Sequence, residues 1–117
     1  MQSTIQNDLG TITIDNDVVA RTAGIAAMGC YGVVGMAARN VRDGLVQLLK
    51  KESLTKGVRL NIEDNKLIVD LYIIVEYGTN IPTIANMLMS GVKYKIEETT
   101  GLTVREINVF VEGVRVH

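Results

Sequence analysis

The sequence predicts an α+β fold: a mostly antiparallel mixed sheet with helices packed on one face, in the element order β-α-β-α-β-β-α-β. Three observations predict it. Val58, Leu60 and Ile62 alternate with polar residues, Asp64-Asn65 interrupts, and Leu67 to Tyr77 alternates again, the pattern of a β-hairpin. Ile81, Ile84, Ala85, Leu88, Val92 and Ile96 then recur at the three-and-four spacing of an amphipathic helix. Leu102 to Val116 returns to period two, so that helix joins two strands.

Residues Met1 to Leu9 are mostly polar and keep no sustained period, which fits a flexible arm or an edge strand; a single domain then occupies residues 10–117. Thr11 to Ile14 alternates as a short half-buried strand, and Asp15, Asn16 and Asp17 offer oxygens to the free N–H groups of a first helical turn. The helix they start holds Val18, Val19, Thr22, Ala23, Ile25 and Ala26. Its small members Ala20, Gly24 and Ala27 would let it lie close to a neighbour, at some cost in helix propensity at Gly24. The segment Gly29 to Gly35 ends it, since glycine most readily takes the left-handed conformation after a helix.

A strand is expected from Val33 to Ala38. Asp43 then caps a second, short helix with Leu45, Leu48 and Leu49 on one face, and Ser53 to Gly57 links it to the hairpin. Gly78 ends the hairpin. Thr79 or Asn80 caps the long helix, with Pro82 tolerated in its first turn, and Gly101 stops it. Ile107, Val109 and Val111 on the last strand should share the core face with the odd-numbered apolar residues of the Lys66 to Tyr77 strand, under the helices.

The other face of that sheet carries Ile68, Tyr72, Ile74 and Phe110 among Asp70, Glu76, Glu106 and Glu112. A purely solvated face would be more polar. Clustered, those four apolar residues would make a protein-interaction patch of a few hundred Å². Scattered, or covered by the amino-terminal arm, they would be ordinary surface residues. Homo-oligomerisation through this face is the expectation to test.

Composition bounds the function. At 117 residues, 47% hydrophobic and 21% charged, the chain is about one soluble globular domain. Its net charge of −1 argues against a general nucleic-acid binder, which needs a basic excess to neutralise phosphates. His117 and Cys30 are each the only residue of their type, which leaves no histidine or cysteine pair for acid–base or nucleophilic catalysis or for metal binding. One cysteine also excludes an intramolecular disulfide and fits a reducing, cytoplasmic setting. The longest apolar run, Leu71 to Val75, is far short of the ~20 residues that span a bilayer.

Other motifs have plainer readings. Gly29 to Gly35 contains glycine pairs at three-residue spacing, but lacks both the dinucleotide and the P-loop fingerprints; a tight helix-to-strand turn explains it. The alternative is a nucleic-acid-binding module using Gly32 to Gly35 with the basic residues Arg39, Arg42, Lys50, Lys51, Lys56 and Arg59. Cys30, near a helix C-terminus and without a cation beside it, reads as a small apolar filler. Lys93 and Glu97 are four apart on a solvated helix face and able to pair weakly.

The blocks Gly10 to Ile14, Asp17-Val18-Val19, Ala23 to Ala27 and Tyr31 to Ala37 resemble the alkaline shock protein family of Gram-positive bacteria, also called envelope stress response proteins. So do Lys56-Gly57-Val58, Glu76 to Ile81, Thr100 to Val104 and Asn108 to Val116, and the resemblance is to the small YloU-like members. It implies a non-enzymatic, cytoplasmic scaffold that self-associates, collects at the membrane through a membrane-anchored envelope protein partner, and responds to stress. It implies no catalytic residue and no cofactor.

Overall fold

The computed structural model describes residues 2–7, 10–40, 45–48 and 55–116. Strands β1 (Gln2–Asn7) and β2 (Gly10–Asp15) pair antiparallel with each other, as a two-stranded sheet of their own. Helix α1 (Asn16–Met28) follows, then β3 (Val33–Asn40), β4 (Leu45–Leu48), β5 (Val58–Glu63), β6 (Lys66–Glu76), α2 (Ile81–Thr100) and β7 (Val104–Arg115). The five later strands form one sheet built around β6. β5 pairs with residues 66–71 of β6 and β3 with residues 73–75, both antiparallel, while β7 runs parallel along residues 67–76. Since a strand has only two edges, β3 and β5 lie end to end on one edge of β6 and β7 occupies the other. The α+β class and the mostly antiparallel mixed sheet are as the sequence predicts.

Capping sets the helix boundaries. The Asp15 carboxylate accepts from the Asp17 N–H at 3.0 Å, so of the three candidate caps Asp15 opens α1. Asn80 opens α2 by accepting from the Thr83 N–H at 3.1 Å, with Pro82 in the first turn, and Gly101 closes it in the left-handed conformation at φ 74°. Asp64 and Asn65 hold the β5–β6 turn at φ 54° and 62°, as a two-residue hairpin turn between right-twisted strands requires.

The core lies between the helices and the odd-numbered face of β6. Leu67, Val69, Leu71, Ile73 and Val75 are buried there against Ile84, Leu88, Val92 and Ile96 of α2 and Val19, Ala23 and Ala27 of α1. Register places Ile107, Val109 and Val111 beside Val69, Leu71 and Ile73, on the expected face. On α1 the buried side is the one carrying the small residues Ala20, Ala23, Gly24 and Ala27; Val18 and Ile25 point outward. Ile81, expected in the stripe of α2, is exposed.

Two close approaches fix glycines. Gly32 has φ 87°, and a Cβ there would stand 2.4 Å from Ile84 Cδ1. A Cβ on Gly57 would stand 2.9 Å from that of Met36, where β5 begins beside the strand end-to-end with it.

Two further details depart from the sequence reading. Residues 45–48, read as part of a short helix capped by Asp43, form β4, antiparallel to β3 with Ala37 opposite Leu48 and Asn40 opposite Leu45. So short a segment satisfies its backbone groups better on a neighbouring strand than in an isolated helical turn, and the Asp43-Gly44 dipeptide is itself a turn signal. Asp43, Leu49 and the residues up to Leu54 lie outside the described residues. Within the Gly29 to Gly35 segment expected to end α1, the left-handed residue is Gly32, while Gly29 is right-handed at φ −79°. Glu97, read as a partner for Lys93, accepts from the Val104 N–H at 3.0 Å and so ties the end of α2 to the start of β7.

Candidate protein-interaction surface

The even-numbered residues of β6 face away from the helices, and strand pairing decides what stands beside them. Arg59 of β5 is opposite Asp70, and on the other edge Glu106, Asn108 and Phe110 of β7 register with Ile68, Asp70 and Tyr72. The Tyr72 and Phe110 rings stack with centroids 5.0 Å apart and planes 15° from parallel. The guanidinium of Arg59 lies 5.6 Å from the centroid of the Tyr72 ring. Asn108 Nδ2 donates to Asp70 Oδ1 at 2.9 Å. A cation and two rings therefore run in a row across three strands, beside a side-chain hydrogen bond that also crosses strands.

The structure brings Tyr72 and Phe110 into contact and keeps both accessible, Tyr72 half-buried and Phe110 43% exposed. Ile68, on the same face one pleat repeat before Asp70, is half-buried. Ile74 is only 4% exposed, registered between Gly35 and Gly113, so it contributes no surface. Sequence reasoning did not place Arg59 or Arg115 on this face. Arg59 follows from the alternation of β5 once its register is known. Arg115 does not, because β7 carries one more residue than β6 between Ile73 and Ile74, and that bulge changes which parity faces outward.

The other candidates resolve into structure. Glu76 N–H donates to the Gly32 carbonyl at 2.9 Å, Val33 packs on the core and Gly35 is buried, so the Gly32 to Gly35 stretch is a packed turn and strand entry rather than an open phosphate cradle. Of the mid-chain basic residues, Lys56 and Arg59 are exposed and Arg39 belongs to β3, while Arg42, Lys50 and Lys51 lie outside the described residues. Cys30 packs against the core with its thiol 3.8 Å from the Ala26 carbonyl, and burial pushes that thiol up from its ordinary value, away from a reactive thiolate. A groove between α1 and α2 is lined by Thr22, Ile25, Ala26, Gly91, Tyr94 and Lys95 among others, without converging acids and bases. Among the described residues no set of three histidine, cysteine or acidic side chains is placed to hold a metal, and no helix is long and apolar enough to cross a membrane.

Comparison with known proteins gives this arrangement its relatives. Residues 4–116 match the model of the alkaline shock protein 23 family, described as having a cell envelope-related function. An uncharacterised protein of Bacillus subtilis, YloU, is 44% identical over 117 residues, which cover 99% of this chain and 98% of the relative. A Streptococcus pyogenes protein, also uncharacterised, is 35% identical over 108 residues, covering 92% of this chain and 89% of its own length. A stress response regulator gls24 homolog of Streptococcus pyogenes is 33% identical over 109 residues, or 91% of this chain and 59% of the homolog. No solved structure matches the chain. The family expected from the block pattern is thus the one found, and this chain is a member of the alkaline shock protein 23 family, whose function is related to the cell envelope.

Proposed function

We propose that this chain is a non-enzymatic scaffold of the cytoplasmic side of the cell envelope, which works by binding proteins: itself, and a membrane-anchored envelope partner. The observation that carries the reading is the open face of the sheet, where Ile68, Tyr72 and Phe110 stay accessible beside Arg59 while the opposite face is packed into a core. Rings held by a rigid sheet lose little conformational freedom when a partner covers them, which makes such residues effective contact anchors. The family's envelope-related function and the stress-response relatives supply the setting, and recruitment through a partner is the route to a membrane that this chain's described helices do not cross.

The test is capture of partners by the tagged full chain from membrane and soluble fractions, identified by mass spectrometry, beside an Ile68→Asp/Tyr72→Asp variant whose folding is checked by circular dichroism. An envelope protein retained by the wild type and lost by the folded variant is the expected result. No specific retention, or equal retention by both, overturns the reading.

A further inference from the structure

β7 is a long edge strand. Over 12 residues it pairs with β6 on one side, and among the described residues no strand pairs with its other side. A free edge of this length presents a row of backbone donors and acceptors, which proteins ordinarily blunt with charges, prolines or a covering element. Here the charged residues Arg105, Glu106, Glu112 and Arg115 stand toward the two ends, and the centre, Ile107 to Val111, carries none.

The placement of those charges matches one occupant. Glu106 registers with Ile68 and Arg115 with Glu76, and these β6 positions lie equally far, four residues, before and after Tyr72, the register partner of Phe110. Position along β6 sets the spacing here, because the bulge between Ile73 and Ile74 absorbs the extra residue of β7. Glu106 and Arg115 both stand on the open face and are exposed. A second copy turned about a two-fold axis through the sheet beside Phe110 therefore sets Glu106 against Arg115 of that copy, twice. It also sets Phe110 against Phe110, Val109 against Val111, and Ile107 against Val114, with every pair on a common face. An antiparallel register shifted by one residue would put open-face side chains opposite core-face ones. β5 is the weaker candidate: it has six residues, and its Glu63 is engaged by Arg105 at 3.0 Å.

We propose that β7 pairs antiparallel with β7 of a second copy about Phe110, joining two sheets into one and their open faces into one continuous surface with Tyr72, Phe110 and their counterparts at its centre. This deepens the scaffold reading, since it names how the chain would bind itself.

Sedimentation velocity of the full chain from about micromolar to about millimolar concentration reads the association. Opposed charges across strands favour pairing and like charges oppose it, so Glu106→Arg or Arg115→Glu alone weakens the dimer roughly tenfold or more, and the double variant restores it to within about threefold. Circular dichroism establishes that each variant is folded. A second reading uses the wild type alone: amide exchange in residues 107–111 slows as concentration rises. A monomer throughout, a dimer indifferent to the single changes, a folded double variant that does not recover, or exchange independent of concentration overturns the proposal. Partner capture through Ile68 and Tyr72 is scored separately. A monomer that still captures its envelope partner ends the edge pairing alone, and a charge-sensitive dimer that captures nothing ends the envelope-partner reading alone.

Discussion

The two faces of β6 are one strand put to two uses. Its odd-numbered residues, Leu67 to Val75, are all aliphatic and sealed under both helices, whereas its even-numbered residues, apart from the buried Ile74, mix Ile68, Asp70, Tyr72 and Glu76 with Arg59 and Phe110 from the neighbouring strands. Only the first set can be large contributors to stability, because its side chains leave water completely and have close-packed neighbours on every side. The second set gains stacking and charge–ring contacts in partial contact with water, where each is worth little. The contrast teaches that the rigidity of the sheet comes from one face and leaves the other free to be selected for contact.

Mutations on the two faces can break that contrast. Leu71→Ala removes a fully buried side chain and should cost about 2–5 kcal/mol in denaturant unfolding. Gly32→Ala, at φ 87° with Ile84 Cδ1 where the new methyl would go, should cost about 2 kcal/mol or more by the same measurement. Tyr72→Ala, one residue from Leu71 but on the open face, should cost only about 1 kcal/mol, mostly the lost ring stack. Arg59→Ala should cost about 0.5 kcal/mol and less as salt rises, since its contact with the Tyr72 ring is exposed. A Tyr72→Ala cost equal to that of Leu71→Ala would erase the distinction between scaffold and contact surface.

Much of this was legible in the sequence for a physical reason. An 11-residue strand with aliphatic residues at every odd position admits one buried face, and a 20-residue helix with a four-member stripe and a capping asparagine admits one orientation, so the core around β6 and α2 followed directly. What did not follow depends on partners far along the chain. β4 is too short to declare itself without β3. α1 buries its small residues and exposes Val18 and Ile25 because close approach to the core outweighs their apolar surface. Of the four residues proposed for contact, Tyr72 and Phe110 meet, the clustered of the two arrangements that alternation left open, and the burial of Ile74 could not be read from alternation alone. Nor could the outward turn of Arg115, which is set by a bulge that only the β6–β7 register reveals.

Site-specific photo-crosslinking in living cells tests the central claim most directly. A photoreactive phenylalanine analogue replaces in turn Tyr72, on the open face, and Tyr94, which is 67% exposed on α2. The account predicts that position 72 gives discrete adducts to a second copy or to an envelope protein and that position 94 gives far fewer. Adducts at position 94 with none at position 72 would contradict it.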